Sequence, residues 1–254
     1  MQKYGQHFLI DPNIITQIVD AVLLLRTENL VEIGPGKGAL TRALLARGVK
    51  NLTAVEIDPE MVLYLQKNLP PQAGINIIQS NFLKFDLSRL CPGPTTFVSN
   101  LPYIDAAEIL DKVLAWEHFK TAVFMFQKEQ AQKIRAKTGD ELYGPLSIFS
   151  QLRARISPIC KVGRGCFAPP PKVESAVLAF EKIATPEVSW RQLERVVKAA
   201  FLHRRKTLFN ALVLGGFEKG KIAAAFSACN FLSTIRPEQV PPTGFVLLTQ
   251  SLAS

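Results

Sequence analysis

The 254-residue sequence has little of what a metal centre or a disulfide scaffold needs, with three histidines and four cysteines. Cys91, Cys160, Cys166 and Cys229 form no C-x-x-C pair, so the expectation is no metal site, no bridged framework, and cysteines that are reduced packing residues. No run approaches the roughly 18 consecutive apolar residues of a membrane span. The stretch Met1 to His7 has no apolar core of the kind a secretory signal carries, which makes a cytoplasmic location the expectation and a monomer the default. Internal repeats and low-complexity tracts are also absent. What remains is a chain that is 48% hydrophobic, enough for one full core and a smaller second unit.

Charge is unevenly spread. The net charge is +9 and the sequence pI about 9.5. From Ala184 onward there are nine Lys/Arg against four Asp/Glu, so the last 71 residues carry +5 and the first 183 only +4. A basic balance favours a polyanionic partner without identifying one.

The first two-thirds alternate between strand-like and helix-like segments. Strands are expected at Asn29 to Ile33, Asn51 to Glu56, Ile75 to Gln79, Phe97 to Ser99 and Thr121 to Phe126. Helices are expected at Ala39 to Ala46, Pro59 to Asn68, Ala106 to Trp116, Lys128 to Ala136 and Leu146 to Arg155. Two later strands, near Ile156 to Val162 and Val173 to Phe180, read as a hairpin. Such alternation predicts an α/β fold with a doubly wound, mostly parallel sheet whose ligands bind at the strand C-termini. After Thr185-Pro186 the strand signals stop. Trp190 to Leu214, Lys219 to Cys229 and Thr243 to Leu252 have helical character, which predicts a domain over 1–184 and a small all-helical one over 185–254.

Glu32-Ile33-Gly34-Pro35-Gly36-Lys37-Gly38 lies between a strand and a helix. Glycines allow a sharp turn and a close ligand approach. About twenty residues further, the next strand ends in Glu56-Ile57-Asp58, where an acid can accept both ribose hydroxyls of an adenosine cofactor. The pattern is E-x-G-x-G-x-G rather than the G-x-G-x-x-G of a dinucleotide site, so a nucleoside cofactor without a pyrophosphate fits better than NAD.

The most specific signal is Asn100-Leu101-Pro102-Tyr103 at the end of the fourth strand. An adenine amino nitrogen is a poor nucleophile because its lone pair is delocalised into the ring. Two acceptors for its hydrogens let it move toward tetrahedral geometry. The Asn100 side-chain oxygen and the Leu101 carbonyl can supply them, with Pro102 restricting the turn and Tyr103 offering a stacking face.

With these motifs, the chain resembles the ribosomal RNA adenine dimethyltransferases of the small-subunit type. The resemblance runs over nearly the whole sequence. It is carried by Gly5 to Leu9, Val31 to Gly38, Val55 to Asp58, Asn100 to Tyr103, Gln127 to Glu129, Tyr143 to Ser147, Phe167 to Ala176, and Ala200-Phe201 with Arg204 to Leu208. It implies a Rossmann-like class I methyltransferase fold and S-adenosyl-L-methionine as cofactor. The implied reaction is N6,N6-dimethylation of two adjacent adenines in a 3′-terminal hairpin loop of 16S rRNA, within the small subunit or its precursor. It further implies a cofactor pocket lined by Gln6, His7, Leu9, Glu32, Gly34, Gly36, Glu56, Ile57, Asn81, Phe82 and Asn100. Asn100, Leu101, Pro102 and Tyr103 would act on the base, with Phe167 as the second face of an aromatic sandwich around it.

Three positions depart from the family's usual pattern: His7 stands where Asn is usual, Asn81 where Asp is usual, and Ile104-Asp105-Ala106 where Asn-Ile-Ser is usual. An amide at 81 can accept a hydrogen bond from the cofactor's adenine but lacks charge assistance. In the tail, Arg191, Arg195, Lys198 and Arg205 recur at helical spacing opposite Leu193, Val197, Ala200, Phe201 and Leu208. Arg195, Lys198, Arg204, Arg205 and Lys206 are the expected RNA-phosphate contacts. The competing reading is a non-catalytic RNA-binding or ribosome-assembly factor on the same fold.

Overall fold

The computed structural model describes residues 7–70, 74–203 and 205–253. The chain divides into two compact units. The first comprises residues 1–131 and 154–182, the second residues 132–153 and 183–254.

The first unit opens with a two-residue strand β1 (Phe8–Leu9) and helix α1 (Pro12–Leu25), followed by β2 (Asn29–Ile33), α2 (Ala39–Ala46), β3 (Leu52–Glu56), α3 (Pro59–Asn68) and β4 (Ile75–Gln79). Next come β5 (Thr95–Asn100), α4 (Ala106–Ala115) and β6 (Phe119–Gln127), then α5 (Lys128–Arg135), along which the chain passes from one unit to the other. Helix α6 (Pro145–Gln151) belongs to the second unit, after which β7 (Ala154–Val162), β8 (Phe167–Ala168) and β9 (Ser175–Lys182) return to the first.

The main sheet has seven strands in the order β4-β3-β2-β5-β6-β9-β7. The first five are parallel, and β9 runs antiparallel to both β6 and β7. The chain winds outward from β2 through β3 to β4, then returns to the other side of β2 through β5 and β6. The topological switch, where open sheets bind ligands, therefore lies at the C-terminal end of β2. Buriedness tracks position in the sheet. β6 has one exposed residue in nine, Lys120, as expected of a strand covered on both faces. β7 is an edge strand, which allows Pro158 to sit at its register shift.

Helix starts follow from local chemistry. Asp11 caps α1 by accepting from the backbone N–H of Asn13 and Ile14 at 2.8 and 3.1 Å, with Pro12 in the first turn. Asp58 does the same for α3 through Glu60 N–H at 3.0 Å, with Pro59 following. The apolar face of α1 (Ile14, Ile18, Val19, Val22) enters a core with Leu30, Leu44, Val98 and Val123.

The second unit contains α6 together with α7 (Trp190–Leu202), α8 (Leu208–Leu214), α9 (Lys219–Ala228) and α10 (Pro242–Ala253). Its core gathers Leu193, Val197, Ala200, Leu208, Leu212, Ile222 and Phe245. Tyr143, Ile148 and Leu152 belong to the same core, and the Tyr143 hydroxyl donates to the Val240 carbonyl at 2.9 Å. The sequence boundary near 184 thus falls close to the end of β9, but residues 132–153 group with the helical unit because their apolar side chains are buried there.

The expected continuous helix over 190–214 is two helices. The chain leaves α7 at His203 and re-enters at Thr207, whose hydroxyl accepts from Asn210 N–H at 3.4 Å. Leu208 N–H meanwhile bonds the Ile235 carbonyl at 2.8 Å. No helix among the described residues is long and apolar enough to cross a membrane.

Candidate active site

Three neighbouring strands, β3, β2 and β5, end side by side and deliver the three motifs to one edge of the sheet. After β2 the backbone turns through Gly34, Gly36 and Gly38, all in the left-handed region at φ +63°, +55° and +75°, where a side chain is strained. Gly36 has a second constraint: a Cβ there would stand 3.0 Å from the Phe8 ring, which lies against the loop beneath the Lys37 ammonium. Above Gly34 a Cβ would meet nothing within 4 Å, so the bend faces open space.

Two buried carboxylates organise this loop. Glu56, 2% exposed, accepts from Gly36 N–H and from Asp58 N–H, each at 2.9 Å. It therefore ties the glycine loop after β2 to the end of β3. Burial pushes its carboxyl above the usual carboxylate range, against the pull of those backbone donors. Glu32, also 2% exposed, accepts from the Thr41 hydroxyl at 2.6 Å and so pins α2 to β2. Burial raises its carboxyl to about 7. Glu32 thus sits beneath the loop and is bonded into the protein. Ile57, beside Glu56, is 40% exposed and offers an apolar surface at the same edge.

After β4, the Asn81 side-chain oxygen accepts from Leu83 N–H at 2.8 Å and closes a tight turn. Phe82 is buried edge-on against Phe97. A residue outside the expected set fixes this loop: the Lys112 ammonium on α4 donates to the carbonyls of Phe82, Leu83 and Phe85 at 2.8, 2.9 and 2.6 Å. Burial lowers its pKa.

At the end of β5, the Asn100 amide nitrogen donates to the His7 carbonyl at 3.0 Å. That bond fixes which way the amide faces and leaves its oxygen on the opposite side. Leu101 is buried, Pro102 is exposed, and Tyr103 is half-buried with its hydroxyl 2.9 Å from Ser175 Oγ. Burial raises the Tyr103 pKa, so the phenol is neutral. Ile104 is 94% exposed. His7 stacks on Tyr103 with ring centroids 6.0 Å apart, and its Nδ1 is 2.8 Å from the Pro169 carbonyl. β1 brings this N-terminal segment to the site by pairing with β8, Leu9 opposite Phe167 and Phe8 opposite Ala168.

Phe167 is 3% exposed and packs with Leu9, Val162 and Val177 in the core, while the ring beside Tyr103 is that of His7. Gln6 lies outside the described residues, as does Arg204. In the helical unit, Arg195 and Lys198 are exposed on α7, the former 4.6 Å over the Phe217 ring and the latter paired with Glu194. Arg205 and Lys206 are exposed, but in the connection between α7 and α8, so Arg205 does not continue the α7 stripe. Phe8, against the Gly36 backbone, and Ser175, bonded to the Tyr103 hydroxyl, were not among the expected site residues. Among the described residues, no three His, Cys, Asp or Glu side chains gather as a metal site.

The sequence profile of the family described as ribosomal RNA adenine dimethylase matches residues 1–230. The ribosomal RNA small subunit methyltransferase A of Malacoplasma penetrans is 36% identical over 241 residues, 94% of this chain and 87% of that protein. The fold matches a dimethyladenosine transferase from Plasmodium falciparum with a TM-score of 0.78, at 24% identity, over 95% of this chain and 96% of that one. It also matches the 23S rRNA methyltransferase ErmE with a TM-score of 0.71, at 27% identity, over 97% and 100%.

Proposed function

Since the chain belongs to the ribosomal RNA adenine dimethylase family, we propose that it dimethylates N6 of two adjacent adenines in a 3′-terminal hairpin loop of 16S rRNA, using S-adenosyl-L-methionine, in the cytoplasm during small-subunit biogenesis. The small-subunit target rests on the name carried by the near-full-length relative.

The residues present fit that cofactor. Open space above a left-handed Gly34 accommodates its amino-acid part. The Glu56 carboxylate, with lone pairs beyond the two its backbone donors use, suits ribose hydroxyls. Exposed Ile57 suits a purine face. When bound, the cofactor supplies an electrophilic methyl group on a sulfonium.

The observation that carries the reading is the Asn100 bond to His7. With its nitrogen held, the Asn100 oxygen accepts one N6 hydrogen and the Leu101 carbonyl accepts the other, directing the nitrogen lone pair out of the ring plane. Tyr103 holds the unstacked base by its ring face. The acceptors are preorganised, so the rate comes from orientation and electrostatics. The proton leaves after transfer, when the nitrogen carries positive charge, and no residue is needed as a general base beforehand. RNA affinity is assigned to exposed basic residues of the helical unit, including Arg195, Lys198, Arg205 and Lys206.

The test is to incubate the protein with labelled S-adenosylmethionine and, in parallel, small and large ribosomal subunits lacking the modification. Label entering small-subunit RNA alone agrees with the proposal. Label entering only large-subunit RNA would move the target to the other subunit.

A further inference from the structure

A cavity of about 480 Å³ lined by Arg164, Gly165, Pro170 and Pro171 opens beside the target-base platform. Its volume is within the roughly 300–1,000 Å³ of small-molecule sites. Its wall is one residue from Pro169, whose carbonyl holds the His7 ring that stacks on Tyr103.

Arg164 is the one charged residue in the cavity's lining. Nearby, Lys128 pairs with Glu174 at 2.7 Å and Lys161 and Arg164 also act on that carboxylate, while the Asp11 carboxylate lies 3.5 Å from Cys166 Sγ, so three cations stand against two acids. Arg164 is exposed and, among the described residues, makes no ion pair. A Cβ on either flanking glycine, Gly163 or Gly165, would meet nothing within 4 Å, so the backbone beside the guanidinium is open to a ligand.

We propose that this cavity binds the nucleotide flanking the target adenosine, its phosphate on the Arg164 guanidinium and its sugar and base against Pro170 and Pro171. The inference rests on the RNA-methylating function proposed above. A planar guanidinium between bare glycines suits a phosphate. Proline rings offer an apolar surface without reading a base edge, so the site positions the strand and adds no sequence preference.

The experiment uses the full-length protein and unmodified small subunits. Arg164→Ala should raise KM for subunits about tenfold, as expected for the loss of one charge-assisted contact. It should also flatten the dependence of log affinity on log salt by about 0.7, the loss of one single-strand phosphate contact. Arg164→Lys should keep the salt slope. Gly165→Leu, which fills the cavity without touching the fold, should raise the same KM with thermal stability unchanged. Calorimetric affinity for S-adenosylhomocysteine should equal wild type in all three. Wild-type KM and salt slope in both Arg164→Ala and Gly165→Leu would overturn the proposal while leaving the function intact. A wild-type protein that transfers no methyl group would instead overturn the function and this inference together.

Discussion

Replacing Glu32 by Gln isolates the cost of a buried carboxylate beneath the glycine loop. Glu32 is 2% exposed, its oxygen accepts from Thr41 at 2.6 Å, and burial lifts its carboxyl from the usual 4.5 to about 7. A carboxyl whose pKa is raised by folding binds its proton more tightly in the native state. Its contribution to stability is then fully present below about 4.5 and is lost as pH rises through about 7. The displacement corresponds to about 3 kcal/mol. Gln has nothing to ionise and keeps the contacts, since its oxygen can accept from the Thr41 backbone while its amide donates to the Thr41 hydroxyl. Urea unfolding of both proteins at pH 5, 6, 7 and 8 should show the variant gaining on wild type by about 2 kcal/mol between pH 5 and 7, and nearly level above it. A difference independent of pH between 5 and 8 would refute the placement of an ionisable, desolvated Glu32.

Asn100→Ala removes one of the two proposed acceptors and should lower kcat by at least about 10²-fold, while subunit binding in a filter assay stays near wild type; equal loss of both would contradict the assignment. Gly36→Ala forces a Cβ into a left-handed position 3.0 Å from the Phe8 ring, a strain of about 1–3 kcal/mol; calorimetric melting should fall by roughly 3–10 °C and cofactor affinity should drop with it. The Arg205→Ala, Lys206→Ala double variant should lower the slope of log affinity against log salt by about 1.5 in subunit titrations, the loss of two phosphate contacts, without changing affinity for S-adenosylhomocysteine.

Most of the sheet was legible because its strands are short apolar runs punctuated by glycine, proline and acid. That their C-terminal ends share one edge follows from the parallel alternation, whereas the place of β5 beside β2 is known only from the structure. Three features were not legible, each for a tertiary reason. β1 and β8 are two residues each and exist only through their mutual pairing across the chain, which local pattern cannot signal. Helix α1 carried a readable start in Asp11-Pro12, but its long apolar content (Ile14, Ile15, Ile18, Val19, Val22, Leu23, Leu24) blurs the helical period. The break between α7 and α8 is hidden because apolar periodicity continues through it, and the bond of Leu208 to Ile235 helps set the second helix start.

Around the candidate site, the motifs lie at strand ends, and the partners of their side chains are set by burial, which the sequence does not show. Glu32 is occupied with Thr41, and Phe167 lies in the core. Lys112, a lone lysine on an amphipathic helix, gave no sequence hint of the three carbonyls it holds.

The most direct test of the account is the chemical identity of the product. Small subunits lacking the modification, treated with the protein and labelled S-adenosylmethionine, would be digested and their nucleosides separated by mass spectrometry. The account predicts labelled N6,N6-dimethyladenosine at two adjacent positions near the 3′ end of the RNA. Subunits that bind the protein and yield no methylated adenosine would contradict it.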